Sequence, residues 1–245
     1  MPIPNINVNV VWPEILQNDE ELQREVNRMR DILGIDGQPA LAPVPAAKVK
    51  PYIEWGGADL DPSFYGKERS NKCGYSSIAR DKVSIAAIKQ AIAEKRPVIG
   101  ICRGAQIANV VNGGILVQHI EGHGRTHHID LYDLKGNKTN EGVTVSSTHH
   151  QMMVAHEDGI ILGKANEFTQ GVHWDNVNEN YHYKYVTEVV YYPKTKTLCI
   201  QPHPEWMGQE STFVKWINQF IQEQMGLDPI NFAVAEHGFL INGAE

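Results

Sequence analysis

Short apolar runs alternate with helically spaced apolar positions through the first half of this chain. Residues 8–11 read as a strand, the acidic stretch 18–33 as a helix closed by Gly34 and Gly37, residues 40–44 as a second strand and 49–54 as a third. Residues 61–80, punctuated by Pro62, Gly66 and Gly74, read as a loop. Val83, Ile85, Ile88 and Ile92 recur at helical spacing, which predicts a helix over 81–95. The run Pro97-Val98-Ile99-Gly100-Ile101 then reads as a buried strand, and 104–112 as a short helix stopped by Gly113-Gly114.

After Gly114 the pattern turns β-rich. Strands are expected at 129–134, 142–147, 160–164, 185–192 and 198–201, completing the sheet and adding a hairpin layer. Phe213, Trp216, Ile217, Phe220 and Ile221 mark the apolar side of a terminal helix over 213–225. The tail, 228–245, still carries Ile230, Phe232, Phe239, Leu240 and Ile241. It is therefore expected to dock on the body or on another copy of the chain, as in a homo-oligomer.

Strands alternating with helices predict an α/β fold, a mostly parallel sheet covered by helices on both faces. Ligands then gather at the carboxyl ends of the strands. At 245 residues, one domain over 1–245 with a tail from 226 is the expected count.

Bulk properties narrow the partners. A formal net charge of −7 argues against a broad nucleic-acid-binding surface. No apolar run reaches the ~18–20 residues of a membrane span, so no membrane is expected. The opening Met-Pro-Ile-Pro-Asn lacks a basic segment followed by an apolar one, so no secretory signal is expected either. Three cysteines, Cys73, Cys102 and Cys199, cannot all pair within one chain, and a reducing, cytoplasmic setting fits them.

One of the three stands out. In Gly100-Ile101-Cys102-Arg103-Gly104 a cysteine sits between an apolar strand and a helix, with small residues around it. That is the layout of a nucleophile elbow with Cys for Ser. The helix start offers free N–H groups and a positive dipole end, which favour a thiolate and an oxyanion. A base is then needed. It is offered by Gln201-Pro202-His203-Pro204-Glu205-Trp206, where two prolines impose an extended exit from a strand. Residues two apart in extended chain point the same way, so Glu205 is placed to hold His203 while His203 handles the proton of Cys102.

Four segments, in order, carry a resemblance. They are Gly56-Gly57-Ala58-Asp59-Leu60-Asp61-Pro62-Ser63-Phe64-Tyr65-Gly66, Gly100-Ile101-Cys102-Arg103-Gly104-Ala105-Gln106, Ser147-Thr148-His149-His150-Gln151 and Gln201-Pro202-His203-Pro204-Glu205-Trp206. The stretch Asn109-Val110-Val111-Asn112-Gly113-Gly114 with Gln118 supports them. Together they resemble class I (triad) glutamine amidotransferase-like domains, closest to the γ-glutamyl hydrolase branch (peptidase C26 type, including enzymes acting on γ-glutamyl-γ-aminobutyrate). The chain has Trp55 where that family usually has proline, and Pro202 where many members have phenylalanine.

The resemblance implies a flavodoxin-like fold and a set of roles. Cys102, His203 and Glu205 would be nucleophile, base and orienting carboxylate. The N–H of Arg103 and one from Gly56-Gly57 would form the oxyanion hole. Gln106 would contact the γ-glutamyl portion, and the Thr148-His149-His150 backbone would face its α-carboxylate. The implied activity is hydrolysis of a small-molecule γ-glutamyl amide, with no metal or organic cofactor. Two alternatives are a glutaminase delivering ammonia to a separate synthetase chain, and a catalytically silent scaffold.

The remaining candidates are expected to be structural. His119, His123, His127 and His128 recur four residues apart, but Gly122 and Gly124 argue against a continuous helix and no recognised ligand spacing accompanies them. They read as a polar loop near the pocket rather than a metal site, with His149 and His150 in the pocket wall. Asn109 and Asn112 read as helix-end caps, and Cys73 and Cys199 as structural thiols.

Overall fold

A computed structural model describes residues 50–165, 173–176, 179–181 and 184–233. The strands expected at 8–11 and 40–44, the helix at 18–33 and the end of the tail lie outside these residues. In chain order the described elements are β1 (Tyr52–Glu54), α1 (Ile78–Ala93), β2 (Val98–Ile101), α2 (Arg103–Val111), β3 (Ile115–Val117), β4 (His127–Tyr132) and β5 (Lys138–Val145). They continue with β6 (Met152–Val154), β7 (Ile160–Ala165), β8 (His173–Asn176), β9 (Glu179–Tyr181), β10 (Val186–Tyr192), β11 (Thr197–Ile200) and α3 (Thr212–Phe220).

Seven of the described strands form one sheet in the order β1-β2-β11-β10-β7-β4-β5. β1, β2 and β11 run parallel, and the pairings from β11 outward to β5 are antiparallel. The fold is α/β, as expected, with a parallel part that carries the elbow and a β-rich part built from the second half of the chain. The expected hairpin layer is not made by the strands assigned to it, since β4, β5, β7 and β10 all extend the main sheet. Two separate ribbons, β3–β6 and β8–β9, come from segments read as connections, where three or four residues are too few to show a period.

Period two explains how the sheet is covered. Ile99, Ile101, Val189, Tyr191, Leu198 and Ile200 share a core with Phe213, Val214, Ile217 and Phe220 of α3. Their strand neighbours Val98, Val190, Tyr192 and Cys199 share another with Ile88 and Ala91 of α1 and Ala105, Ile107 and Ala108 of α2. Helices thus cover both faces. β10 is buried along its whole length, and the middle of that strand holds a glutamate, Glu188.

Boundaries moved where local chemistry decides them. α1 begins at Ile78 rather than 81, with Ser77 in extended conformation as its N-cap. The loop at 61–80 opens with a 3₁₀ turn, Pro62–Tyr65, capped by Asp61. α3 ends at Phe220, and Ile221–Met225 continues as a π turn stopped by Gly226. The first part of the tail docks on the body. Ile230 N–H donates to Asn218 Oδ1 at 2.8 Å, Asn218 Nδ2 donates back to Ile230 O at 3.1 Å, and Phe232 is fully buried.

Candidate active site

Cys102 joins β2 to α2 with φ 52° and ψ −111°, a conformation that costs a non-glycine residue energy and marks sites the surrounding structure holds under strain. Its N–H donates to Ile200 O at 2.8 Å, so the elbow is tied to the end of β11. The glycines on either side allow the turn by letting backbone touch backbone. A Cβ on Gly100 would stand 2.4 Å from Gly104 O, and one on Gly104 would stand 2.0 Å from Glu54 O. The first-turn N–H groups of α2 have no preceding carbonyls within the helix and open beside Cys102.

His203 follows β11 and is buried, as is Glu205. His203 Nδ1 meets Glu205 Oε1 at 2.6 Å. The expected extended geometry is not what joins them: Pro204–Trp206 is a 3₁₀ turn with His203 at its N-cap, and Trp206 N–H donates to His203 O. Proline at the first position favours that turn over continued strand. Thr148 Oγ1 stands 3.2 Å from His203 Nε2, and Cys102 and His203 line the same cavity. Burial alone would lower the imidazole's pKa. Its hydrogen bonds and charge interactions with Cys102 and Glu205 outweigh that and raise it to about 9. The imidazole is thus poised to hold its proton beside Cys102.

A pocket of about 400 Å³ opens over these residues, lined by Trp55, Gly56, Gly57, Asp59, Cys102, Gln106, Thr148, His149, His150, Gln151, His203, Glu205 and Trp206. The expected residues Cys102, His203, Glu205, Gly56, Gly57, Gln106, Thr148, His149 and His150 therefore converge on one cavity. Gly56 lies against both reactive side chains, since a Cβ there would be 3.3 Å from His203 Cε1 and 3.6 Å from Cys102 Cβ. Gln106 is buried and donates from Nε2 to Gln201 Oε1 at 3.2 Å.

Arg103 does not line the cavity. Its guanidinium is buried away from the cavity, with Nη2 2.6 Å from Asp81 Oδ1 and Nη1 3.4 Å from Glu54 Oε1 and 3.2 Å from Ser84 Oγ. Glu54, one residue before the Trp55 departure, is thereby turned inward rather than to the entrance. The 61–80 loop lines none of the cavity; it braces the wall instead. Gly74 N–H donates to Asp59 Oδ2 at 2.6 Å, and Gln118 bonds to Ser70 N–H and Glu68 O, each at 2.8 Å.

Trp55, Asp59, Gln151 and Trp206 are pocket residues to which sequence reasoning gave no role. Asp59 Oδ1 stands 3.0 Å from His150 Nε2, and His150 Nδ1 3.3 Å from His119 Nδ1. The Asp59 hydrogen bond holds the His150 pKa above its ordinary value. The other histidines behave differently. His123, His127 and His149 turn from the solvent toward Glu188, a residue the motifs did not reveal. One glutamate inside the apolar run Tyr185-Val186-Thr187-Glu188-Val189-Val190-Tyr191-Tyr192 was the available signal.

Asn109 and Asn112 are structural, as expected. Asn109 Nδ2 donates to Ile115 O at 3.0 Å, its Oδ1 accepts from Tyr192 Oη at 2.7 Å, and Asn112 Nδ2 donates to Ala108 O at 2.8 Å. Burial, then the Asp59 charge, pushes the Cys73 thiol up to about 11; burial alone pushes Cys199 up further.

The structure thus sets a strained cysteine at a strand–helix elbow beside a buried His–Glu pair, at the carboxyl ends of parallel strands of an α/β fold. Residues 32–205 match the Peptidase C26 family, and the chain belongs to it, within the class I glutamine amidotransferase-like group. Over 113 residues it is 34% identical to the glutamine amidotransferase-like protein YvdE of Lactococcus lactis, covering 40% of this chain and 48% of that protein. Over 97 residues it is 31% identical to the glutamine amidotransferase-like protein RP404 of Rickettsia prowazekii, covering 36% and 34%. The matched region spans about half or less of these relatives. A glutamine amidotransferase structure from Thermotoga maritima aligns over 66% of this chain and 64% of that one, at 16% identity and a TM-score of 0.38, too loose to bear on function. Among the described residues no helix is long and apolar enough to cross a membrane.

Proposed function

We propose that this chain hydrolyses a γ-glutamyl amide through Cys102, His203 and Glu205. The observation that carries the reading is His203, bonded to Glu205, lining one cavity with Cys102, the two side chains both lying against Gly56. The Cys102 thiolate attacks the γ-carboxamide carbon. The N–H of Arg103 and one from Gly56-Gly57 receive the developing oxyanion, each such donor contributing about 3 kcal/mol. His203 gives its proton to the departing amine, leaving a γ-glutamyl thioester on Cys102. Water, deprotonated by His203, attacks the thioester and releases glutamate, and the thiolate–imidazolium pair is restored. Glu205 keeps the imidazole in register through both steps. Gln106 and the Thr148-His149-His150 segment are placed to hold the glutamyl end.

A second reading is supported by the relatives' glutamine amidotransferase-like names: a glutaminase that passes ammonia to a separate synthetase. Glutamate release from L-glutamine and a panel of γ-glutamyl amides, with Cys102→Ala as control, tests both. Cys102-dependent turnover of γ-glutamyl amides over glutamine supports the hydrolase. Glutamine turnover alone favours the glutaminase. No release from any substrate sinks both and leaves a silent scaffold.

A further inference from the structure

Behind the pocket wall, three imidazoles converge on one carboxylate. His123 Nε2, His127 Nε2 and His149 Nε2 lie 3.7, 3.2 and 3.4 Å from Glu188 Oε1. All four side chains are more than nine-tenths buried, and His123, His127 and Glu188 present ligand atoms within 4.8 Å of one another.

The far side of each ring fixes its tautomer. His123 Nδ1 meets Glu121 O at 3.1 Å, His127 Nδ1 meets Arg125 O at 3.1 Å, and His149 Nδ1 meets Gln151 O at 2.7 Å. A carbonyl oxygen only accepts, so each Nδ1 carries the hydrogen. In a neutral ring each Nε2 then presents a lone pair. With the rings neutral, three lone pairs face one carboxylate; the rival arrangement has protonated His127 and His149 bonding to Glu188. Buried negative charge surrounded by lone pairs is costly unless a cation lies between them.

Backbone geometry aims Glu188 at this point. On β10, Thr187 pairs with Lys164 and Val189 with Gly163, so Glu188 is the extra residue of a bulge in the pairing with β7. Bulges re-aim side chains.

The geometry points to a divalent transition-metal site, with zinc the best-fitting ion, held by His123 Nε2, His127 Nε2 and Glu188 Oε1, with His149, 3.4 Å from Glu188 Oε1, turning in to complete the set. Zinc bonds of about 2.0–2.1 Å at tetrahedral angles put ligand atoms roughly 3.3–3.4 Å apart, and the three imidazole–Glu188 distances of 3.2, 3.4 and 3.7 Å lie around that value. Backbone carbonyls on the opposite ring nitrogens are the usual outer support of histidine ligands. Four protein ligands and deep burial make the site a structural one. His149 lies between Thr148, which touches His203, and His150, and the Glu188 carbonyl accepts from Gln201 N–H at 2.8 Å. The ion would therefore clamp the pocket wall to the strand that delivers His203. This inference is independent of the hydrolase reading.

The test uses the full chain carrying Cys102→Ala, so that the catalytic thiol cannot act as a ligand, stripped with a chelator and titrated with cobalt(II) and then zinc(II). One equivalent of cobalt with the intense visible bands of four-coordinate nitrogen and oxygen ligation, displaced by zinc, is expected, together with a rise in Tm on loading. Glu188→Gln and His127→Ala are each expected to weaken binding at least tenfold. Should those variants fail to fold, nitrogen NMR of the unsubstituted histidines decides. Metal-bound Nε2 in three rings supports the site, whereas imidazolium signals from these rings with no stoichiometric cobalt uptake overturn it. Tight binding that Glu188→Gln leaves unchanged also overturns it.

Discussion

Trp206 lies flat against His203, with ring centroids 3.7 Å apart and planes 5° from parallel. The indole is half-exposed while the imidazole beneath it is buried, so one aromatic face roofs the proposed base. Stacking restricts the ring to the plane in which Nδ1 meets Glu205 and Nε2 meets Thr148 Oγ1. Trp206→Ala is expected to lower kcat roughly tenfold through loss of that alignment, whereas Trp206→Phe keeps most of it. Steady-state glutamate release checks this. Equal losses in both variants would show that flat stacking is not what matters.

The raised pKa of His203 makes stability depend on pH in a definite direction. The folded chain holds the proton up to about pH 9, the unfolded chain only to about 6.5. The contribution is therefore whole below ~6.5 and is lost as pH rises toward 9. Denaturant midpoints across this window should fall in the unsubstituted protein and stay flatter in Cys102→Ala, which removes the thiolate partner. Parallel curves would contradict the ion pair.

Thiol labelling should be selective. The pKa values of Cys73 and Cys199 are both pushed upward, while Cys102 faces an imidazolium in an open cavity. At neutral pH, iodoacetamide is expected to modify Cys102 at least ~10-fold faster than either other thiol. Peptide mass spectrometry reads the ratio, and comparable rates at Cys73 would remove the support for an activated nucleophile.

The Arg103 guanidinium is a structural centre rather than a substrate contact. Removing it leaves the carboxylates of Asp81 and Glu54 inside the protein without their shared cation. Arg103→Ala should cost about 3–5 kcal/mol in unfolding free energy. A loss under ~1 kcal/mol would mean that the two acids are neutral or hydrated.

Gly104→Ala sets a Cβ into the Glu54 carbonyl, where backbone on both sides leaves nothing to give way. The elbow should lose at least ~3 kcal/mol or fail to form. Circular dichroism with urea titration distinguishes that result from the near-neutral change expected in an ordinary helix position.

Reading the chain succeeded where chemistry is written in adjacent residues. Cys102 between its glycines, His203 two positions from Glu205, and the Gly56-Gly57 turn are all local signals, and the structure gathers them at one cavity. The His203–Glu205 contact was anticipated for an incorrect geometric reason, because Pro204 starts a 3₁₀ turn where extended chain was expected. The rest was hidden by distance along the sequence. Glu188 gains its meaning from histidines on other elements, and β3 and β6 are strands chiefly because they pair with each other. Trp206 was visible as a residue, but its stacking depends on a turn that had not been foreseen.

Cys102 and His203 leave the sheet from neighbouring strands, β2 and β11, whose alignment is set by main-chain pairing. The chain from β3 through β10 is threaded between those two strands in sequence, and it supplies the Thr148–Gln151 wall of the cavity. The spacing of thiol and imidazole is thus insulated from the composition of that wall. Insertions or exchanges in the intervening loops can remodel the cavity wall while Cys102 and His203 keep their separation.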